Sequence, residues 1–279
     1  MRGTFPSKTP NHFEVKHFKP LSKIVPMNLT SETSTPVIHR VLDASEPRIT
    51  GLAIALLIIS VWVISLCFLL TTGPVEQTPL VWKALGILCQ TFLYTGLFIT
   101  AHDAMHGAIF PKHRQINYLI GSLALLLYGC FFYEPLLKKH SQHHHSPASE
   151  SDPDFHDGSH KNAVAWYVYF MFRYWSWGRL GCLIVIYHSM HIFLNIDYGN
   201  LVLFWVIPTI LSSMQLFYFG TFIPHQEPIG GYQNSFRAKS VYRPLLWSFL
   251  TCYHFGYHQE HHMYPDIPWW KLPLIITQR

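Results

Sequence analysis

Long apolar runs separated by short polar segments dominate the chain after residue 49. They cover Thr50–Thr72, Leu80–Ala101, Ile116–Phe132, Leu180–Leu194 and Leu201–Ile223. The first run carries no charge, and a helix of about 23 residues rises roughly 35 Å, enough to cross the hydrocarbon core of a bilayer. A buried helix in a soluble protein is the alternative, but such helices are rarely apolar on every side for so long. The pattern therefore predicts an all-α membrane protein.

Short turns rich in helix breakers join four of these runs in pairs. Gly73–Pro79 separates the first two runs, and Asn195–Asn200 separates the last two. Because both connections are short, we predict four transmembrane helices in two hairpins. Residues 1–49 are rich in Pro, Ser, Thr and Lys and lack the apolar core of a secretory signal. We predict that they form a mobile tail and that residues 50–279 form the membrane domain.

The middle run, Ile116–Phe132, determines whether the polar segments on its two sides share one face of the membrane. If this run crossed the bilayer, the histidines before and after it would lie on opposite sides. Gly121, Gly129 and the pair Glu134-Pro135 interrupt it or follow it. These residues favour a bent element that lies in the interface or dips into the bilayer and returns.

Basic residues support this one-sided arrangement. The histidine-bearing segments contain Lys112, Arg114, Lys138, Lys139, Lys161, Arg173, Arg237, Lys239 and Arg243. The two opposite turns contain only the acidic residues Glu76 and Asp197. By the positive-inside rule, the histidine side is cytoplasmic, and an even number of spans places the N-terminal tail there too. We therefore expect a helical cap on the cytoplasmic face.

Histidine is abundant in a chain that is otherwise poor in charge: there are 19 histidines, and only 13% of residues are charged. Three groups have helical spacing, namely His102 and His106; His140, His143 and His144; and His258, His261 and His262. Positions i, i+3 and i+4 lie on one face of a helix, so each group can point several imidazoles at one centre. One such group also suits helix capping or water binding. Three groups on one membrane face favour a metal site.

Eight histidines are too many for one ion, so we infer a two-metal site. His225, at the end of the last apolar run, is either a ninth ligand or a helix-end histidine that faces lipid headgroups. His254 is either a further ligand or a hydrogen-bonding partner of one. His145 and His156 are interpreted as hydrogen-bonding residues.

Four acidic residues are candidates to bond the second ring nitrogen of ligating histidines, which would fix ring orientation. They are Asp103, Asp152, Asp154 and Glu260. Ordinary capping and turn formation is the alternative, especially for the two aspartates in the Ser-Asp-Pro-Asp turn. Asp103 and Glu260 are the preferred candidates because they lie inside histidine groups.

The choice of metal follows from what the sequence lacks. The five cysteines have no paired spacing, no serine or cysteine nucleophile stands out, and the histidine spacing differs from the His-Glu-x-x-His of metalloproteases. Zinc would suffice for structure or hydrolysis. Paired iron ions beside an apolar pocket have a clear use, the activation of O₂ against C–H bonds, and soluble proteins build such sites from Glu and Glu-x-x-His motifs. We therefore predict a histidine-rich di-iron site.

These motifs resemble those of the membrane fatty acid desaturase/hydroxylase superfamily, which shares the spacings HxxxH, HxxHH and HxxHH. Within it the chain resembles the bacterial-type β-carotene ketolases from roughly residue 45 to the end. The narrower resemblance is carried by HDAMHG (His102–Gly107), DPDFH (Asp152–His156), FGTFIPH (Phe219–His225) and YHFGYHQEHHMYPDIPWWKLP (Tyr253–Pro273).

The resemblance implies a non-haem di-iron monooxygenase that uses two Fe²⁺, O₂ and electrons from an external donor such as reduced ferredoxin. Its substrates would be β-carotene and related carotenoids, oxidised at ring carbon 4 to echinenone and canthaxanthin by two hydroxylations and a dehydration. By carry-over, the eight grouped histidines match the metal-ligand boxes, and His225 matches a further ligand. The run His143–His145 leaves open whether His144 or His145 completes the second box, and spacing favours His144.

Three other functions are compatible with parts of this pattern. A membrane acyl-lipid desaturase or hydroxylase and a carotenoid ring hydroxylase would share the metal site. A metal transporter would hold its ligands near the bilayer midplane, which the predicted topology disfavours. We expect the lipid bilayer as a partner and no nucleic acid. Trp269 and Trp270 are candidates to cover the substrate ring, and the aromatic residues between 166 and 177 to flank the polyene, with an interfacial aromatic belt as the alternative.

Overall fold

The computed structural model describes residues 49–276, and the regular secondary structure of this part of the chain is all helical, with no strand, as predicted. The helices in chain order are α1 (Thr50–Thr71), α2 (Leu80–Met105), α3 (Arg114–Gly129), α4 (Tyr133–His145), α5 (Ala163–Arg173), α6 (Trp177–Leu194), α7 (Tyr198–His225), α8 (Leu245–Cys252), α9 (His258–Met263) and α10 (Leu272–Ile276). Short 3₁₀ turns lie at Val75–Gln77 and Trp269–Lys271. The predicted tail, apart from Ile49, lies outside the described residues.

Four of these helices, α1, α2, α6 and α7, are long and apolar enough to cross a membrane, in agreement with the predicted number. The second is longer than predicted. The apolar run ends at Ala101, but the helix continues to Met105 and ends before Gly107, whose φ is +76°. The first histidine group therefore lies on the last turn of α2, where the helix itself sets its direction.

The middle apolar run forms a bent pair of helices. α3 and α4 meet at an angle of 99°. Cys130 sits at the bend in a left-handed conformation with φ of +56°, and its N–H closes the end of α3 on Leu126 O. Pro135 follows in the first turn of α4, where a missing N–H costs no helical hydrogen bond. The predicted bend is thus present, between residues 129 and 133.

α2 is the central helix and packs against α1, α3 and α7. Tyr94, Leu97 and Ile99 are fully buried in it. A polar bridge joins α2 to α7, where Thr95 Oγ1 lies 2.9 Å from Ser212 Oγ and donates to Gln215 Oε1 at 2.7 Å. Such hydrogen bonds between apolar helices fix their relative rotation, because unpaired polar groups are costly in hydrocarbon.

α6 differs from the other long helices because none of its residues is buried. The segment after α7 instead folds back onto the end of α2. Tyr253 stacks on Phe92 with ring centroids 4.5 Å apart, and Trp269 N–H donates to Asp103 Oδ2 at 3.0 Å. This return of the C-terminal segment places the third histidine group beside the first.

Close packing inside the bend predicts a stability effect at Gly121. A Cβ added there would overlap the Tyr133 ring and lie 3.0 Å from Ala104 Cβ. We expect Gly121→Ala to lower the free energy of unfolding by about 1–3 kcal/mol, because α3 and α4 must separate to accept it. Thermal unfolding of the purified protein in detergent measures the change.

Gly181 on α6 is the matched control, since no heavy atom lies within 4 Å of its added Cβ. Gly181→Ala should leave the unfolding temperature unchanged or raise it slightly, because alanine favours helix by up to about 1 kcal/mol over glycine. Equal stability of the two variants would contradict close packing at the bend.

Candidate metal centre

Nine buried or half-buried histidines form two adjacent groups. Cluster A contains His102, His106, His140, His144 and His261, and cluster B contains His143, His225, His258 and His262. Within each cluster the ring nitrogens lie within 4.8 Å of one another. The clusters contain the eight grouped histidines and His225, and they leave out His254, the other candidate ligand. Their side chains come from the ends of α2 and α7 and from α4 and α9.

Both HxxHH groups divide between the clusters, contrary to the expectation that each group would serve one centre. α4 directs His140 and His144 to cluster A and His143 to cluster B. α9 does the reverse, with His261 in cluster A and the other two in cluster B. Because residues turn by about 100° along a helix, positions i and i+4 differ by about 40°, whereas i+3 lies about 100° from i+4. On each of α4 and α9 the residues at i and i+4 therefore point to one cluster and the residue at i+3 points to the other.

The distances between ring nitrogens suit metal ligands. In cluster A, His106 Nε2 lies 2.7 Å from His140 Nε2, and His144 Nε2 lies 3.0 Å from His261 Nε2. In cluster B, His258 Nε2 lies 2.9 Å from His225 Nε2 and 3.1 Å from His262 Nε2. Two ring nitrogens that bind one metal ion, each at about 2.1 Å and with a right angle at the ion, would be about 3.0 Å apart.

The number of protons that can lie between the converging ring nitrogens also indicates a metal site. The Nε2 atoms of His225, His258 and His262 converge, and at most one proton can lie between any two of them. His102 Nε2 in cluster A is buried and has no hydrogen-bond partner in the part of the chain that the structure describes. Converging lone pairs and an unpartnered nitrogen would be unfavourable in a protein interior, and a cation satisfies both. The residues present therefore fit a metal ion in each cluster.

Burial favours the neutral form of most of these rings, which is the form that metal ligation requires. Burial, reinforced by repulsion among neighbouring rings, lowers the pKa of five cluster histidines well below the ordinary value: His140, His144, His258, His261 and His262. His143 behaves differently. Burial acts to lower its pKa, but the hydrogen bond and charge of Asp152, together with the charge of Asp154, raise it overall.

Asp152 is the carboxylate that orients His143. His143 Nδ1–H donates to Asp152 Oδ2 at 2.9 Å, and the carboxylate also accepts the backbone N–H groups of Ala148 and Asp154, each at 2.8 Å. Burial alone would raise the pKa of Asp152, but the hydrogen bond and charge of His143 lower it. With the proton fixed on Nδ1, Nε2 of His143 keeps its lone pair free.

The two preferred acidic candidates lie in different surroundings. His102 Nδ1 donates to Asp103 Oδ1 at 3.2 Å, the contact expected for a carboxylate that orients a ligand. Glu260 is fully buried, but its carboxylate accepts hydrogen bonds from the hydroxyls of Ser240 and Tyr242, and no bond to a histidine ring is found among the described residues. In the structure Glu260 thus joins the 240–242 segment to α9, and its role beside a ligating histidine stays a prediction.

The remaining histidines of these motifs lie outside both clusters. His145 is exposed, which leaves His144 as the adjacent partner in the second box. His254 is buried and packs against the rings of Phe249 and Trp269, and His156 packs against Trp166. Asp154, whose Oδ2 is 3.8 Å from His143 Nδ1, accepts the hydroxyl of Tyr174.

An apolar cavity ends at the two clusters. Four histidines face it, two from each cluster: His102, His140, His143 and His258. Its walls are mainly aromatic and aliphatic, including Phe98, Met105, Tyr128, Phe131, Leu136, Phe170, Met171, Tyr174, Leu183, Leu216, Phe217 and Phe255. A mainly apolar lining of this kind suits an apolar guest that reaches the clusters.

Trp269 and Trp270 do not line this cavity, contrary to expectation. Trp269 packs on Tyr253 and secures Asp103 through its backbone. Among the aromatic residues between 166 and 177, Phe170 and Tyr174 line the cavity, whereas Trp166 is buried against Phe217 and Phe222. Sequence reasoning missed Phe98, Phe131 and Phe255, because an aromatic residue next to a histidine motif has no spacing signal of its own.

Comparison with known proteins places this site in a family. The sequence profile described as "Fatty acid desaturase" matches residues 170–276. A "Beta-carotene ketolase" of Paracoccus sp. (strain PC1) is 38% identical over 241 residues, which is 83% of this chain and 96% of that protein.

Algal relatives are also similar but longer. A "Beta-carotene ketolase" of Haematococcus lacustris is 45% identical over 191 residues, 65% of this chain and 58% of that protein. A "Zeaxanthin 4-ketolase" of Chlamydomonas reinhardtii is 38% identical over 240 residues, 80% of this chain and 52% of that protein. The chain thus spans between half and three fifths of the length of these algal relatives.

Four membrane-length helices, two of which end at a buried histidine-rich centre, together with the desaturase profile, define an integral-membrane protein of the fatty acid desaturase/hydroxylase superfamily. Within that superfamily the chain belongs to the bacterial-type β-carotene ketolase family, since it matches the Paracoccus protein over nearly its whole length.

The bond between Asp152 and His143 predicts a loss of metal affinity in Asp152→Asn. The amide would accept only weakly from His143 Nδ1–H, and the ring would lose its fixed tautomer. We expect metal affinity to fall about 10–100-fold, as is typical when the partner of a ligating histidine is removed. Competition of the iron-loaded protein with a ferrous chelator measures this change.

Asp157→Asn is the matched control, because Asp157 bonds His160 and local backbone and belongs to neither cluster. Its metal affinity should equal that of the unmodified protein. An equal loss in both variants would show that the effect arises from the loop and not from His143.

Proposed function

We propose that the chain is a β-carotene ketolase, a di-iron monooxygenase that converts the C4 methylene of β-ionone rings to a ketone. The observation that carries this proposal is the apolar cavity, whose inner end meets two histidine clusters. The relatives named β-carotene ketolases support the choice of substrate and reaction.

Two Fe²⁺ ions are assigned to the clusters, one held by the five histidines of cluster A and one by the four of cluster B. Asp103 and Asp152 orient His102 and His143 within them. Bound iron supplies the activation of O₂ and the oxidation of an unactivated C–H bond, chemistry that no side chain provides. Imidazole nitrogens suit iron, and the neutral state of the buried rings leaves their lone pairs available.

The contribution of the protein is to position the ring and to exclude water. The aromatic walls bind the ionone ring by apolar contact and leave its C4 at the end where His140 and His143 lie. Each hydroxylation consumes one O₂, two electrons and two protons and releases one water. Because the ring stays in place, a second hydroxylation occurs at the same carbon, and the geminal diol loses water to give the ketone. An external donor such as reduced ferredoxin supplies the electrons.

A lateral opening in the bilayer explains how a carotenoid reaches the centre. The outer part of the cavity is lined by Arg179 and Leu183 of α6 and by Thr209, Ile210 and Ser213 of α7. Since α6 has no buried residue, lipid-dissolved molecules can enter between these helices. We place α1 with α2 and α6 with α7 as two hairpins. The α3–α4 bend keeps both clusters on one face, which the basic residues assign to the cytoplasm.

The experiment that tests this proposal is expression in a bacterium that accumulates β-carotene and has a competent ferredoxin system. Echinenone and canthaxanthin, identified by chromatography and mass spectrometry, are the expected products. Hydroxylated rings without ketones would indicate a ring hydroxylase instead, and altered membrane fatty acids with unchanged carotene would indicate an acyl-lipid enzyme. Unchanged carotenoids and lipids, with iron-loaded protein present in the membrane, would overturn the proposal.

The adjacent residues His144 and His145 provide a stringent pair of variants. His144→Ala should abolish ketone formation, at least 100-fold below the unmodified protein, because it removes a nitrogen that lies 3.0 Å from His261 Nε2. His145→Ala should retain full activity, since this side chain is exposed and outside both clusters. Pigment yield, normalised to the amount of membrane-inserted protein, compares the two, and equal activity would contradict the assigned ligand set.

A further inference from the structure

We propose that Arg237 is a positioning residue for cluster B, because its two ends connect to the outer ring nitrogens of two ligands from different segments. The identity of the ion rests on the proposed function, whereas the connection itself is a property of the described structure. Arg237 lies in the loop between α7 and α8, far in sequence from α4.

The backbone end of Arg237 fixes His225. His225 Nδ1–H donates to the Arg237 carbonyl at 2.9 Å, so its Nε2 is left unprotonated and faces His258 Nε2. The loop is held in place by two further bonds. Tyr232 hydroxyl donates to His225 O at 2.6 Å, and Lys239 N–H donates to Pro224 O at 3.0 Å. Arg237 O is therefore presented to a ring that is 1% exposed.

The side-chain end of Arg237 reaches the segment that orients His143. Arg237 Nη1 donates to Ala148 O at 2.9 Å. Ala148 N–H in turn donates to Asp152 Oδ2 at 2.8 Å, and this carboxylate accepts His143 Nδ1–H. The guanidinium thus connects the loop that fixes His225 with the turn that fixes His143.

The backbone on both sides of this connection is in an uncommon conformation. Arg237 has φ of +44° and Ala148 has φ of +49°, in the left-handed region that L-residues with a Cβ avoid. Such conformations persist where the surrounding contacts fix them, and they are frequent at functional sites. Here the strained residues are the two that the guanidinium joins.

The connection is specific to cluster B. Its two end points are His225 and His143, and both belong to that cluster. Arg173 Nη1 also donates to the turn, to Asp152 O at 2.8 Å. Within the described residues it has no hydrogen bond to the loop that holds His225. Within residues 49–276, Arg237 is thus the residue that joins the loop bonded to His225 with the turn bonded to His143. Its removal should loosen cluster B and leave cluster A intact.

The test compares iron binding by Arg237→Ala with that of the unmodified full-length protein, both purified in detergent and loaded with Fe²⁺. With Fe²⁺ in excess, we expect two iron ions per chain in both proteins; after the excess is removed, the unmodified protein should keep two and the variant should fall towards one, by plasma mass spectrometry against protein concentration. Release to a ferrous chelator should show one phase about 10–100-fold faster in the variant, and one unchanged. Lys161→Ala, which removes an exposed positive charge outside both clusters, is the control and should keep two ions.

Arg237→Lys keeps the charge but offers a single ammonium donor in place of the guanidinium fork, so its faster phase should be intermediate. This variant carries the test if Arg237→Ala does not insert into the membrane. Two ions released at the unmodified rates from the Arg237 variants would overturn the inference. A parallel loss from both clusters would also overturn it, because that result indicates general instability. Failure of the unmodified protein to bind two ions would instead contradict the proposed function.

Discussion

Nine imidazoles that converge in two dry clusters are the constraint on which the rest of the structure depends. Burial lowers the pKa of most of these rings, which favours the neutral form and removes the repulsion between positive charges. Their ring nitrogens face one another at about hydrogen-bond distance. An arrangement of this kind is stable only if an ion or a proton satisfies the nitrogens. Each nearby element then serves to bring rings to the same point. α2 and α7 supply rings at their ends, while α4 and α9 lie between the clusters.

The outer nitrogens of the rings are secured unevenly. His102, His143 and His225 each donate to a carboxylate or a carbonyl, whereas Nδ1 of His258 and of His262 is buried without a hydrogen-bond partner among residues 49–276. Hydrogen bonds to the outer nitrogen therefore orient three rings, which come from three different segments. The rings of His258 and His262 on α9 are positioned by packing instead. α7 contains a π-helical segment at Phe217–Phe222, just before His225. Such segments are frequent at functional sites, because they change the direction in which the following side chains project.

The apolar cavity brings the two clusters and the membrane-length helices to one space. Cluster histidines and phenylalanines line it, and so do residues of α6 and α7. α6 buries none of its residues, although Arg179 and Leu183 line the cavity and Tyr187 and Met190 pack against the core. In the proposed function, this sparsely packed helix borders the route by which an apolar substrate would reach the site.

The sequence by itself determined the helical class, the four membrane-length runs and the nine candidate ligands, because apolar length and histidine spacing are local properties of the chain. It also indicated a bend after Gly129, through glycine and proline positions. Only the tertiary structure decided how the ligands divide, since the 100° turn per residue sends His143 and His144 to different clusters. Contacts between distant segments likewise decided that Asp152 orients His143, that Glu260 bonds Ser240 and Tyr242, and that Arg237 joins two loops. No spacing rule predicts such contacts, because they depend on how the chain returns to the end of α2.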